Sequence, residues 1–250
     1  MPISILLLLS GCVVVGVLIG AVGIGGVLLV PLLMMSSHLS VHEAAATALF
    51  SFLFTGLLGG WLFSRRASID WRVAGPVCAG AFVLSFAGAA VASRVPAATL
   101  TWIIAAILLG AGLYILNPIA RSNPDSQEHG DARRLPALLG IGAVSGFGAG
   151  ISGAGGPLFS VPLMFALQFD PLTVVGTGQV VQIAASLSGS IGNMTHGLID
   201  YRIGFAITIA ELMGTSLGVR IAHTVPGNRL RLGAAALCII SAVGMATKAM

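Results

Sequence analysis

The sequence predicts an all-α polytopic membrane protein made of two homologous four-segment repeats, each opening with a glycine-broken helix. Three observations carry that expectation. Of 250 residues, 56% are hydrophobic and only 8% charged, with a mean hydropathy of +1.01. A soluble domain carries about 25% charged residues, so this surface must be solvated by lipid. The apolar runs are continuous rather than alternating, and most full-length ones suit the roughly 20 residues needed to cross hydrocarbon, which argues for helices over a closed barrel. The third observation is that the chain repeats itself at an offset of 130 positions.

That offset takes Gly25-Gly26 to Gly155-Gly156, Thr47 to Thr177, Gly59 to Gly189, Gly88 to Gly218 and Val95-Pro96 to Val225-Pro226. It also takes Asp70-Trp71-Arg72 to Asp200-Tyr201-Arg202. Glycine matches arise by chance in apolar sequence of low complexity. A shared Asp-aromatic-Arg loop and a shared Val-Pro turn in one register are harder to obtain that way. The expected organisation is a first membrane repeat over 1–118, a polar linker over 119–134 and a second membrane repeat over 135–250.

The first apolar run covers 3–22. Leu9-Ser10-Gly11-Cys12 resembles a lipoprotein cleavage box, but no basic residue precedes it and apolar sequence continues to Met35. It is therefore read as part of the membrane domain rather than a signal peptide. The stretch VGIGGVLLVP over 22–31 follows, and runs near 43–63, 73–93 and 98–117 complete the first repeat. Trp61, Trp71 and Trp102 stand at span ends, where tryptophan suits the headgroup belt. The linker, with Arg121, Asp125, Glu128, Asp131, Arg133 and Arg134, is the only sustained polar stretch. A run over 135–148 then leads into SGAGGPLFSVP over 152–162. Pro157 fits the first turn of a new helix, where its missing N–H is not needed, so this segment reads as helix, break, helix. Runs near 174–192, 203–219 and 232–247 close the chain.

Several function classes fall away. A dinucleotide fingerprint needs its glycines between a strand and a helix, and a phosphate-binding loop needs a lysine. Neither glycine run has such a setting, and Lys248 is the chain's only lysine. Nucleotide binding and ATP drive within this chain are not expected, nor is enzyme activity. The net charge of +4 does not point to nucleic acid, because the basic residues sit at segment ends as topology determinants. Cys12, Cys78 and Cys238 show no ligand spacing, and no His/Cys/Asp cluster resembles a metal site. No cofactor and no metal are expected.

The glycine breaks are the candidate site. A break exposes backbone N–H and C=O groups, which hydrocarbon tolerates only against protein or a water-lined cavity. A helix start offers free N–H donors to an anion, and paired discontinuous helices build midplane sites in secondary transporters. Gly25 and Gly26 in the first break, and Ser152, Gly153, Gly155, Gly156 and Pro157 in the second, are therefore candidate substrate contacts. After the second break Gln179, Gln182, Ser186, Ser190 and Asn193 recur at steps of three or four along one helical face. Thr177, Gln179, Gln182, Ser186 and Asn193 join the candidates, as do Thr47 and Ser51 of the shorter first-repeat face Thr47, Ser51, Thr55. Packing between helices is the competing explanation for both glycines and stripe. Glu211 is the one carboxylate deep within a span and is the candidate for proton coupling. Pairing with Arg220, nine residues on, is its alternative.

Topology turns on the breaks. If each broken segment crosses once, the repeats are parallel and the twelve basic residues divide eight on the linker side to four opposite. If each enters and returns, the repeats are inverted and the division is nine to three. The positive-inside rule leans slightly to the second arrangement, while residues 3–22 alone are long enough to span. Both keep the linker cytoplasmic.

The chain resembles the TauE/SafE family of sulfite and organosulfur-anion exporters over about residues 8–247. The resemblance rests on Val22-Gly23-Ile24-Gly25-Gly26 with Pro31 behind it, and on Gly146 to Pro157 with Val161-Pro162 behind it. Gly176-Thr177-Gly178-Gln179, and Asn193 with His196-Gly197 before Asp200-Tyr201, add to it. Val27 stands where the second copy has Pro157, a departure from the stronger pattern. The resemblance implies a secondary transporter for small sulfur-containing anions, such as sulfite or sulfonates, in a bacterial cytoplasmic membrane, with export the expected direction and protons a candidate coupling ion. An anion channel and a non-transporting membrane scaffold remain the alternatives. The expected partners are a small anion and the lipid bilayer, with no nucleic acid; monomer and homodimer are both open.

Overall fold

The computed structural model describes residues 2–92, 96, 131–194 and 198–249, together with isolated helical positions between 102 and 116. Most of the polar linker, and His196–Gly197, lie outside the described residues. Every element among the described residues is helical: α1 (Pro2–Val22), a 3-10 turn (Gly26–Leu28), α2 (Leu29–Ser36), α3 (Val41–Ser64), α4 (Trp71–Ala92), α5 (Asp131–Ser152), α6 (Pro157–Ala166), α7 (Pro171–Met194), α8 (Tyr201–Thr224) and α9 (Gly227–Ala249). Five of these helices, α3, α4, α5, α7 and α8, are long and apolar enough to cross a membrane. Val83, Ile209, Met213 and Ile240 are each more than half exposed, as a lipid-facing surface requires.

Local chemistry sets the helix ends. Ser40 and Glu43 form a capping box at the start of α3, with the Ser40 N–H donating to Glu43 Oε2 at 2.8 Å and the Glu43 N–H to Ser40 Oγ at 3.3 Å. Asp200 accepts from the Arg202 and Ile203 N–H groups at the start of α8, and Asp70 accepts from the Arg72 N–H before α4. The shared Asp-aromatic-Arg loops are thus the same helix start used twice.

Two glycine seams hold the bundle. A Cβ at Gly16 would strike the Glu211 backbone, and one at Gly20 the Thr215 backbone, so α1 lies directly on α8. Likewise Gly146 meets the Ala81 backbone and Gly150 the Ser85 backbone, so α5 lies on α4. In both seams residue numbers rise together, so each pair runs parallel. The two sets of contacts are one set displaced by 130 positions in opposite senses: Gly16 on Glu211 becomes Gly146 on Ala81. Without side chains at these points the backbones approach closely, the usual basis of helix association in lipid.

The remaining contacts fix direction. Thr47 near the start of α3 accepts from the Asp200 N–H at 3.0 Å, while Phe63 near its end stacks on His223, so α3 runs parallel to α8. Ser188 donates to the Phe82 carbonyl at 2.6 Å, and a Cβ at Gly192 would meet that of Ala89 at 3.0 Å, so α7 runs parallel to α4. Between α3 and α7 the order reverses: Gly59 faces Gln179, and Leu49 faces Gly189. It follows that α1 and α3 point the same way, and the chain between them must return. It does so through α2, whose Leu32 lies against Gly11 while Gly25 lies against Ile19. By the same reasoning α5 and α7 are parallel and α6 is the return. Each broken segment therefore turns back on itself within the bundle.

Candidate functional site

The two breaks are built alike and meet. α1 ends at a left-handed Gly23 (φ +80°) and α5 at a left-handed Gly153 (φ +67°), each donating its N–H back to its own helix at 2.9 Å. The copies then diverge. Gly155 is left-handed (φ +84°) and Pro157 opens α6 directly, whereas Gly25 has φ −137° and a 3-10 turn intervenes before α2. That divergence coincides with Val27 standing in place of Pro157.

Phe52, at the middle of α3, is the hub. A Cβ at Gly26 would lie 2.8 Å from its ring and against the Ala154 carbonyl of the other break; a Cβ at Gly155 would lie 3.4 Å from the same ring. Gly23 abuts Val161, and Gly156 abuts Val181 and Ala185 at the middle of α7. Gly26, Gly155 and Gly156 thus sit at mid-height between α3 and α7, while Gly153 lies against Ala45 near the start of α3, and the residues from Pro157 to Pro162 are all buried.

Two glutamines tie this centre together. Gln179 Nε2 donates to the Ile19 carbonyl at 2.8 Å, gripping the last turn of α1 before its break. Gln182 Nε2 donates to the Phe52 carbonyl at 3.1 Å and to Thr55 Oγ1 at 2.8 Å. Phe52 and Gln182 stand 130 positions apart, the offset seen in the sequence, and α3 and α7 cross where they touch. Along α6 and α7 lie buried polar atoms with no hydrogen-bond partner among the described residues: the hydroxyls of Ser160, Thr177, Ser186 and Ser190, and Gln179 Oε1. Buried polar groups are ordinarily paired, so this concentration is unusual. Unengaged hydroxyls are the donors that a small anion needs.

The other candidates are placed differently. Ser152 donates to the Gly148 carbonyl at 2.6 Å and accepts from the Ala154 N–H at 3.2 Å, so its hydroxyl shapes the break. Thr47 holds the start of α8, and Asn193 lines a small cavity beside His42 at the same end of the bundle. Ser51 donates to the Ala48 carbonyl at 2.8 Å and stands beside Glu211. Glu211 is fully buried on the α1–α8 seam, near Cys12 and over Gly16. Neither of its oxygens has a partner among the described residues, so the pairing with Arg220 is not made. The structure brings together Gly25, Gly26, Gly155, Gly156, Pro157, Gln179 and Gln182. It sets Glu211 and Ser51 one layer out, and Thr47 and Asn193 toward one end.

Sequence reasoning passed over Phe52, the Ile19 carbonyl and the Gly59 notch that receives Gln179. An apolar residue in an apolar run carries no signal of its own. The alignment of Phe52 with Gln182 was the one available pointer.

The sulfite exporter TauE/SafE family model matches residues 7–245. The chain is 30% identical over 221 residues to the probable membrane transporter protein YdhB of Bacillus subtilis, covering 84% of this chain and 87% of that protein. It is 22% identical to the probable membrane transporter protein MJ0441 of Methanocaldococcus jannaschii, covering 91% of each. Against the probable membrane transporter protein YfcA of Escherichia coli K12 it is 24% identical, over 80% of this chain and 73% of that one. No solved structure matches.

Proposed function

This chain belongs to the sulfite exporter TauE/SafE family, and on that premise we propose that it is a secondary transporter exporting small sulfur-containing anions, such as sulfite or sulfonates, across a bacterial cytoplasmic membrane. The meeting of two returning breaks beneath unengaged hydroxyls carries this reading. A small oxyanion needs several hydrogen-bond donors at once in a dry place. The start of α6 packs on Gly178, Val181 and Ala185 of α7, and the unengaged Ser186 hydroxyl lies one turn beyond Gln182.

The two halves are inverted repeats in this proposal, related by an axis in the membrane plane through the Phe52–Gln182 contact. The antiparallel crossing of α3 and α7 and the exchanged glycine seams support it. So does charge: Arg65, Arg66, Arg72, Arg220 and Arg229 gather with the start of α5 at one end, while Arg202 and the end of α9 lie at the other. By the positive-inside rule the first end, with the linker, is cytoplasmic.

Glu211 is the coupling group in this scheme. An ionised carboxylate without a partner is costly to bury, so its charge state and the arrangement of α1, α3 and α8 depend on each other. Glu211→Gln, which keeps the shape and removes the titration, is expected to leave anion exchange measurable but to abolish its response to an imposed pH difference. An unchanged response excludes Glu211 from coupling.

The deciding measurement is flux in sealed proteoliposomes against sulfite, thiosulfate, sulfoacetate, taurine-like sulfonates and simple carboxylates, with and without a proton gradient. Saturable flux of the sulfur anions is the expected result. Channel-like conductance would indicate a pore, and no flux across the panel would indicate a scaffold.

A further inference from the structure

We propose that the cavity between His42 and Asn193 is the open mouth of the permeation path and that the Phe63–Val175–Val219–Ala222 cluster is the gate closing the opposite mouth. The inference rests on the inverted-repeat transporter reading and adds to it which end is shut, and by which side chains.

The observation is an asymmetry between positions that the offset of 130 makes equivalent. At the end where α3 begins, a cavity of about 40 Å³ is bounded by His42, Ala45, Ala89, Ala92, Gly150 and Asn193. Gly150 and Ile151 of its lining belong to the last turn of α5 before the second break, so the cavity borders that break. Room of this size exceeds what one water needs. At the other end, beside the Arg65–Asp70 loop, the counterparts are Leu172, Val175, Val219, Ala222, Gly20 and Phe63. Phe63, Val175, Val219 and Ala222 form a buried apolar cluster with Leu230, and Leu172 packs against it.

The substitutions explain the difference. Alanine at 45 and 89 becomes valine at 175 and 219, and Asn193 becomes Phe63, so each exchange fills space and the last also removes a polar group. The plug is also fastened. The Phe63 ring lies 4.8 Å from that of His223, whose Nε2 is 3.0 Å from Ser68 Oγ and whose Nδ1 is 2.8 Å from the Val219 carbonyl. Arg66 donates to that same carbonyl at 3.4 Å. The loops mirror this: Thr47 holds the Asp200 N–H at the open end, while its counterpart Thr177 holds nothing among the described residues.

Thiol accessibility tests the assignment without any substrate. In full-length protein with Cys12, Cys78 and Cys238 replaced by alanine, single cysteines are placed at Asn193 or Val219 and exposed to a membrane-impermeant methanethiosulfonate from either face. Asn193→Cys is expected to react only from the face away from the Arg65–Asp70 loop, and Val219→Cys from neither. Adding Phe63→Asn, or the milder Phe63→Ala, is expected to raise Val219→Cys labelling from the loop face by at least about tenfold, a shift of ~1.4 kcal/mol in local opening. Asn193→Cys labelling in the same background reports that the fold persists. The proposal is overturned if Val219→Cys reacts from the loop face with Phe63 intact, or if Asn193→Cys reacts from neither face. It is equally overturned if shortening Phe63 leaves Val219→Cys unreactive while Asn193→Cys still reacts. A failed flux panel would count against the sulfur-anion reading and leave this labelling pattern untouched.

Discussion

Replacing Gly146 with alanine is expected to cost about 3 kcal/mol or more and to abolish the folded, monodisperse protein in detergent. The added Cβ would fall 2.6 Å from the Ala81 Cα and closer still to its carbonyl oxygen, and none of these atoms is the movable end of a side chain. Only separation of α4 from α5 relieves the collision. Those helices touch along the whole seam from Gly142 on Val77 to Gly150 on Ser85, so a local shift disturbs every neighbouring contact. Gly16→Ala, the counterpart on the α1–α8 seam, is expected to behave the same way against Glu211. Gly75→Ala is the control: nothing lies within 4 Å of its Cβ, and removing a helical glycine should add about 0.5–1 kcal/mol of stability. The yield of monodisperse protein in detergent, and thermal unfolding of whichever variants fold, separate the cases. A Gly146→Ala protein as stable as Gly75→Ala would show that the seam is not this tight.

Gln182→Leu is expected to reduce flux at least about tenfold while lowering stability by only ~1–3 kcal/mol. Leucine fills similar space but loses the hydrogen bonds to the Phe52 carbonyl and Thr55 Oγ1. The Phe52 ring touches both Gly26 and Gly155, so the hold of α7 on this point of α3 sets how the two breaks face each other. A positioning role of this kind predicts that transport falls far more than folding. Flux and unfolding temperature measured on one preparation decide it: transport at the original rate would remove Gln182 from the mechanism, and collapse of the fold would make it purely structural.

Much of this architecture was readable from residue order, because its main devices are local. Pro157 opens α6 since a helix start does not need its N–H, and Gly23 and Gly153 end their helices since both adopt positive φ. Asp70 and Asp200 cap equivalent helices for a reason visible within three residues. The turning back of each broken segment was not readable with the same force. Single crossing and re-entry differ by one basic residue in the charge count, whereas the parallel packing of α1 on α8, which turns the chain back at the break, is visible only in the fold. Hydroxyl roles were harder still. Ser152, expected in the break, and Ser51, expected on a polar face, both donate to carbonyls in their own helices, and only the fold distinguishes them from Thr177 and Ser186. The Phe63 plug needed four residues from three helices to be seen together.

The exchanged seams also bear on how the protein is made. Gly16 waits for Glu211, which emerges 195 residues later, whereas Gly146 meets Ala81 after a separation of 65. At a synthesis rate of about 5–20 residues per second, α1 spends roughly 10–40 seconds in the bilayer without the helix it is shaped to touch. Its bare glycine edge is open throughout that interval to any other small-residue surface nearby. α1 is thus inserted long before the helix it pairs with, and its seam is complete only when α8 arrives.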